Sequence, residues 1–297
     1  MEEGGNIRQA LSSAIEELEG AGVPDAVVEA ERMLCRILKC KRHELFLNPE
    51  KSITTEEHGR IKAFMARRKR REPAAYITGE TEFRDLRLKV TRAVLIPRPE
   101  TELLVERALK FLEGIKEPVI IDLCTGSGCI AVTLAVELLR KGAAPLIYAT
   151  DISGAALDVA RDNAIANNVD KRVKFIEGDL FGPLGGLGLK GKADLIISNP
   201  PYVSTKEKES LESEVRAFEP PAALYGGVDG LLFIRRIIKG GPEYLRPGGV
   251  LLMEIGWSQG EAVKGLASKD PALIGATVKK DFSGMDRIFE ATKKTGR

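Results

Sequence analysis

The stretch Val119-Ile120-Ile121-Asp122-Leu123-Cys124-Thr125-Gly126-Ser127-Gly128 runs an apolar segment straight into a turn with two glycines, and Ile130 to Arg140 beyond it carries apolar residues at helical spacing. A strand, a glycine turn and a helix in that order are the opening unit of an α/β fold. Further apolar strands are expected at Leu146 to Thr150, Val173 to Ile176, Leu195 to Ser198 and Val250 to Ile255. Helices from Gly154 to Asn167 and from Leu231 to Leu245 fall in the gaps between them. Thr277 to Phe282 and Arg287 to Ala291, parted by Ser283-Gly284-Met285-Asp286, suit an antiparallel finish. The glycine-rich segment Gly182 to Gly191 reads as a loop. Together these predict a mostly parallel sheet with helices on both faces over residues 93–297.

Upstream the period is helical. Asn6 with Gln9 and Thr54 with Glu57 have the spacing of reciprocal caps, and Ile7, Leu11, Ile15 and Leu18 recur at intervals of three and four. Helices are expected from Asn6, after Pro24-Asp25, from His43 to Leu47 and from Thr54 to about Arg71, forming a small bundle over 1–75. Between Tyr76 and Val90 the period changes to two, which predicts a β-hairpin linker over 76–92.

The 297 residues, 43% of them apolar, suffice for one large and one small domain. Lys plus Arg total 45 against 43 Asp plus Glu, so no overall field draws the chain to nucleic acid or membrane. Cys35, Cys40, Cys124 and Cys129 lack zinc spacing and disulfide density. With an acidic, polar amino terminus and no apolar run of about 18 residues, the expectation is a cytoplasmic protein that is neither exported nor membrane-spanning.

Gly126 and Gly128 allow a ligand to approach the backbone, and the helix start offers free N–H donors. Asp151 closes the next strand, where a carboxylate can accept from both ribose hydroxyls or, alternatively, cap a helix. Gly126 to Ala131 also matches a dinucleotide fingerprint, so a nicotinamide cofactor is one reading. Asp122 favours another: beside the glycines it would repel a pyrophosphate and suit the cationic groups of S-adenosylmethionine. Asp179 and Leu180 follow the third strand where an adenine could be held, or are an ordinary loop aspartate and core leucine.

The fourth strand ends in Asn199-Pro200-Pro201-Tyr202, in the same crevice beyond the strand ends. The prolines stiffen the chain and offer only carbonyls, so Asn199 Oδ1 and the Pro200 carbonyl form a rigid acceptor pair for a planar NH2 group, with Tyr202 against its flat face. Such a fork aims a nitrogen at an activated methyl and requires no metal or nucleophilic side chain. Glutamine and adenine both carry a group of this shape.

Longer segments narrow the choice. Ile96 to Glu102, Asp122 to Gly128, Asn199 to Tyr202, Glu219-Pro220, Gly226 to Gly230, Glu254-Ile255-Gly256 and Gln259-Gly260 resemble the HemK/PrmC family of peptide chain release factor N5-glutamine methyltransferases. The resemblance runs from about Pro73 to Phe289. It implies a Rossmann-like class I fold with a seven-stranded, mostly parallel sheet, an antiparallel last strand and a helical domain that grips the release factor. It also implies methyl transfer from S-adenosylmethionine, with S-adenosylhomocysteine as product, to the glutamine of the Gly-Gly-Gln motif of bacterial class-1 release factors. Cofactor contacts would come from Asp122, Cys124, Thr125, Gly126, Ser127, Gly128, Asp151, Asp179, Leu180 and Asn199, and glutamine contacts from Asn199, Pro200, Pro201 and Tyr202. Cys124 stands where the family usually has glycine, and Leu180 where some relatives are aromatic. Arg98 and Glu100 either line the site or form an ion pair that orders the segment entering it.

Residues Arg60 to Arg71 hold seven Lys or Arg and no acid. The default reading is a solvated face that complements a helix dipole, and the sharper one is a contact with an acidic release-factor surface or RNA. Alternatives to the family function are an adenine-N6 nucleic-acid methyltransferase, a nicotinamide oxidoreductase and a silent release-factor adaptor. Against the first stands the lack of a separate basic, aromatic-rich domain for reading bases, so no stable nucleic-acid partner is expected.

Overall fold

The computed structural model describes residues 5–295. The acidic start of the chain, Met1 to Gly4, lies outside the described residues, as do Gly296 and Arg297. The chain divides into two compact units, 5–78 and 79–295.

The first unit contains α1 (Ile7–Gly20), α2 (Ala26–Leu38), α3 (Arg42–Leu47), α4 (Thr55–Arg68) and α5 (Ala74–Thr78). Asn6 and Thr54 each accept from the amide three residues on, while Gln9 and Glu57 reach back to the cap amides. These caps start α1 and α4 where their spacing predicts. Leu18, Ala30, Leu34 and Leu45 interlock in the core of the unit. Helix α4 stops at Arg68 rather than Arg71, because Arg71 takes a left-handed conformation (φ 67°) that returns Glu72 to Arg67. The Pro73 carbonyl then accepts from the amides of Tyr76 and Ile77, so a helical turn stands where a strand was expected from Tyr76.

The basic segment is not simply a solvated face. Arg67 binds Glu72 through two hydrogen bonds, both 2.8 Å. Arg68 is 1% exposed and binds Glu29 at 2.6 and 3.0 Å. Reversing these charges would therefore break the bundle, whatever else the segment touches. Arg68→Ala is expected to cost the first unit about 3–5 kcal/mol, because it leaves Glu29 without its buried partner. Denaturant unfolding of the full chain, followed by a probe in the bundle, measures this; a loss below about 1 kcal/mol would contradict it.

The second unit opens with the hairpin β1 (Glu80–Phe83) and β2 (Leu86–Lys89), antiparallel with Glu80 opposite Lys89. Next come α6 (Pro99–Phe111), β3 (Val119–Leu123), α7 (Cys129–Arg140), β4 (Leu146–Asp151), α8 (Gly154–Ala166) and β5 (Val173–Glu177). Beyond β6 (Ala193–Ser198) come the short α9 (Ser213–Phe218) and α10 (Pro221–Leu224), then α11 (Leu232–Tyr244) and β7 (Leu245–Glu254). The unit closes with α12 (Gly260–Ala267), β8 (Leu273–Lys280) and β9 (Asp286–Lys293). Within the segment expected to be a loop, Leu184 and Leu189 are buried.

The large sheet has the order β5-β4-β3-β6-β7-β9-β8, all parallel except β9. Alternation sorts each strand between two cores. Ile120, Ile197 and Leu252 pack with α6 and α7, whereas Ile121, Leu123, Ile196 and Met253 pack with α11 and α12. The chain winds outward from β3 to β5, returns, and continues through β6 and β7 on the other side. That reversal opens a crevice at the carboxyl ends of β3 and β6. In register, Leu123 faces Ser198, so Cys124 and Asn199 leave the sheet side by side.

Candidate active site

A cavity of about 290 Å³ occupies this crevice. Its wall includes Cys124 to Ser127, Asp151, Asp179, Leu180, Asn199 and Pro201 from the predicted set. Asp122, Gly128, Pro200 and Tyr202 are not part of the wall. Sequence reasoning missed Thr101, Tyr225 and Phe233, which are.

The glycine turn is held from below. Cys124, Gly126 and Gly128 all have left-handed backbone, with φ of 59°, 56° and 77°. Glycine adopts this freely, whereas Cys124 does so at a strain of order 1–2 kcal/mol. The Thr125 amide donates to the Thr150 carbonyl at 3.0 Å, tying the turn to β4. A Cβ at Gly126 would meet nothing within 4 Å, whereas one at Gly128 would lie 3.0 Å from Ala160 Cβ. Gly126 thus leaves room for a ligand, and Gly128 brings α7 against α8.

Asp122 is fully buried and accepts from the Thr125 hydroxyl at 2.6 Å, while its other oxygen has no hydrogen-bond partner among the described residues. Burial pushes its carboxyl up to about 7, against the favourable Thr125 hydrogen bond and with the help of nearby Asp151. Asp122 therefore lies behind the turn, joined to it through Thr125, and is not part of the cavity wall. The Cys124 thiol is likewise raised by burial, and Asp151 and Asp122 reinforce the shift, so it stays neutral.

Asp151 does not cap α8, since Ser153 does so by accepting from the Ala156 amide at 3.2 Å. Instead Asp151 accepts from Gly126 N at 2.8 Å and Ser153 N at 3.0 Å, which aims its remaining lone pairs at the cavity. Burial raises its pKa, and those two amides oppose the rise. Asp179 is exposed and pairs with Arg236 at 2.7 Å, so one oxygen is already engaged beside the adjacent Leu180. Arg98 lines the cavity and pairs with the buried Glu219, not with Glu100. Glu219 also accepts from Ile96 N at 3.3 Å, which anchors the segment before α6.

At the end of β6, the Ser198 hydroxyl donates to the Leu123 carbonyl at 2.7 Å. Asn199 Nδ2 donates to Thr101 Oγ1 at 3.1 Å, Thr101 donates to Glu254 Oε2 at 2.7 Å, and the Tyr202 hydroxyl donates to Glu254 Oε1 at 3.0 Å. Among the described residues neither Asn199 Oδ1 nor the Pro200 carbonyl receives a hydrogen bond; Asn199 lines the cavity, whereas Pro200 is buried behind the wall. Tyr202 is anchored by its hydroxyl instead of forming part of the cavity wall. Above it, a Cβ at Gly226 or Gly230 would collide with the carbonyls of Pro201 and Tyr202. Those two glycines let the 226–230 loop clamp the proline turn. Glu254 closes an apolar strand on an acid, the same cue that singled out Asp122, and could have been found by it.

Residues 9–79 match the PrmC N-terminal domain family and residues 99–219 the Methyltransferase small domain family. A "Release factor glutamine methyltransferase" of Moorella thermoacetica is 41% identical over 97% of this chain and 99% of its own length. One of Cereibacter sphaeroides is 42% identical over 95% of this chain and 96% of its own. Among solved structures, the hMettl16 catalytic domain in complex with MAT2A 3'UTR hairpin 6 superposes with a TM-score of 0.54 at 15% identity, covering 84% of this chain and 86% of that one. At that identity the likeness concerns the fold alone.

The burial of Asp122 has a measurable cost. Its folded pKa lies near 7 and its unfolded one near 3.8, so its ionisation withdraws stability as pH rises from about 4 to about 7 and adds nothing further above that. Asp122→Asn should therefore gain on the wild type across that window, by about 2–4 kcal/mol in total. Melting curves at pH 4.5 and pH 8 test this, and parallel profiles for the two proteins would refute it.

Proposed function

We infer the activity from one premise: the chain belongs to the family of release factor glutamine methyltransferases. It transfers a methyl group from S-adenosylmethionine to the side-chain amide nitrogen of the glutamine in the Gly-Gly-Gln motif of class-1 peptide chain release factors. The observation that carries this reading is Asn199 in the wall of the cavity that Gly126 and Asp151 also line, its Nδ2 spent on Thr101 and its Oδ1 without a hydrogen-bond partner among the described residues.

The residues present fit such a donor. Gly126 leaves its side of the cavity free of any Cβ, and Asp151 aims lone pairs where ribose hydroxyls need acceptors. Thr125 has given its hydrogen to Asp122, so it also offers only an acceptor. Asp122, Asp151 and Asp179 favour a cation in this space. Asp179 and Leu180 would flank the adenine. When bound, S-adenosylmethionine supplies an electrophilic methyl on a sulfonium.

The chain's own part is to bind and aim. Asn199 Oδ1 and the Pro200 carbonyl take the two hydrogens of the glutamine NH2, and the rigid prolines hold the nitrogen in line with the methyl. Such positioning supplies about 7–11 kcal/mol of the barrier. Hydrogen bonds to both hydrogens favour a more tetrahedral nitrogen whose lone pair points at the methyl carbon. With the donor bound, the nitrogen held in this way would accept its methyl and, more acidic once methylated, would release its proton to solvent. No side chain is assigned as general base. The helical unit would grip the body of the release factor, in the cytoplasm, where such factors work.

Incubation with labelled methyl donor and a purified class-1 release factor, followed by mass spectrometry, should place one methyl on the Gly-Gly-Gln glutamine. Asn199→Ala should lower the rate at least about a hundredfold while leaving the melting temperature nearly unchanged. Label on the adenine of a nucleic acid offered in parallel, with none on the release factor, would overturn the assignment, as would full activity in Asn199→Ala.

A further inference from the structure

The Asn199 side chain ends in an acceptor and a donor of nearly the same shape, and only the acceptor can receive a hydrogen from the substrate amide. The geometry points to Thr101 and Glu254 as positioning residues that hold the Asn199 amide with Oδ1 toward the substrate and Nδ2 away from it. This rests on the reading of the cavity as a glutamine site.

Glu254 is 1% exposed at the end of β7, and each of its oxygens has a hydroxyl partner: Tyr202 on Oε1 at 3.0 Å and Thr101 on Oε2 at 2.7 Å. A threonine hydroxyl has one hydrogen. Once Thr101 gives it to Glu254, Oγ1 can only accept from Asn199. At 3.1 Å Asn199 must therefore present Nδ2, and its oxygen is left for the other side. Without the carboxylate, the Thr101 hydrogen would be free to bond Oδ1. The Asn199 NH2 would then meet the substrate NH2, donor against donor.

Thr101 is also 1% exposed, so water does not substitute for either partner. The same strand end fixes the backbone as well. Gln259 accepts from Gly256 N at 2.8 Å with Oε1 and donates to the Tyr202 carbonyl at 2.9 Å with Nε2. Glu254 and Gln259 thus set the side chain of Asn199 and the main chain of Tyr202 from one place in the fold. The carboxylate is needed as an acceptor for Thr101, not as a charge near the methyl.

Four variants of the full chain test this, with kcat and KM for whole release factor, donor affinity and melting temperature as readouts. Thr101→Val keeps the shape and loses the hydroxyl, and should lower kcat at least about tenfold with donor affinity within about twofold. Thr101→Ser keeps the hydroxyl and should stay within about threefold of wild type. Glu254→Gln can still accept from Thr101 while donating to the Tyr202 hydroxyl, so it should retain most activity. Glu254→Leu cannot accept, and should lose as much as Thr101→Val. Combining Thr101→Val with Glu254→Leu should cost no more than either change alone, because both act through one amide.

Full kcat in Thr101→Val, equal damage from serine and valine, or losses that multiply in the double variant would each overturn the inference. Should Glu254→Leu fail to fold, the valine and serine pair decides. A wild-type protein that leaves the release-factor glutamine unmodified would instead sink the reading of the site.

Discussion

The parallel pairing of β3 with β6 is the constraint on which the site depends. Leu123 lies opposite Ser198, and the Ser198 hydroxyl reinforces the register by donating to the Leu123 carbonyl. A shift of one residue would turn every side chain of β6 to the other core and carry Asn199 away from the glycine turn. Because the chain reverses its winding between these two strands, the segments that leave them diverge and the space between stays open. The glycine turn and the Asn199 turn are neighbours because of this one register, although the strand ends that carry them lie 75 apart in sequence.

Where the proposed chemistry is local in sequence, the segments that would carry it were legible. The turn from Cys124 to Gly128 and the fork from Asn199 to Tyr202 each contain their own chemistry within a few residues. The strand–turn–helix context placed them at strand ends; the parallel sheet was expected from the alternation of strands and helices, and its antiparallel finish from the last two apolar runs and the family resemblance. The role of Thr101 was not legible, because its partners Asn199 and Glu254 are 98 and 153 residues away. Nor does sequence tell how deep a strand-end acid lies. Asp122 shares the α7 face of β3 with Ile120 and is not part of the cavity wall, which begins at Cys124. Arg68 misled for a similar reason, since a run of basic residues does not show which one turns inward to meet Glu29. Tyr76 was read as the start of a strand because its pattern alternates, but the Pro73 carbonyl captured its amide for a helical turn.

Asp122 and Glu254 invite comparison, since both are carboxylates at strand ends, both are buried, and neither is part of the cavity wall. Each takes the single hydrogen of a threonine that is: Thr125 for Asp122 and Thr101 for Glu254. At Thr125 the effect is direct, and at Thr101 it passes through Asn199, whose Nδ2 the hydroxyl accepts. A hydroxyl that could have rotated to donate or accept is reduced to an acceptor, and so the cavity gains fixed acceptors without an exposed charge at those points.

Asp151 and Asp179 are the carboxylates of the wall, and Asp122 and Glu254 stand behind it, next to where the amide would lie. A carboxylate in direct contact with the sulfonium or the amide would stabilise the cationic donor in its ground state as strongly as anywhere along the reaction, and so would raise affinity without raising rate. Set one layer back, each acid is held up in pKa by burial; Glu254 gives both oxygens to protein hydroxyls and Asp122 gives one. The energetic cost falls on folding. For the proposed reaction the benefit would be acceptors that need no reorganisation when the methyl moves.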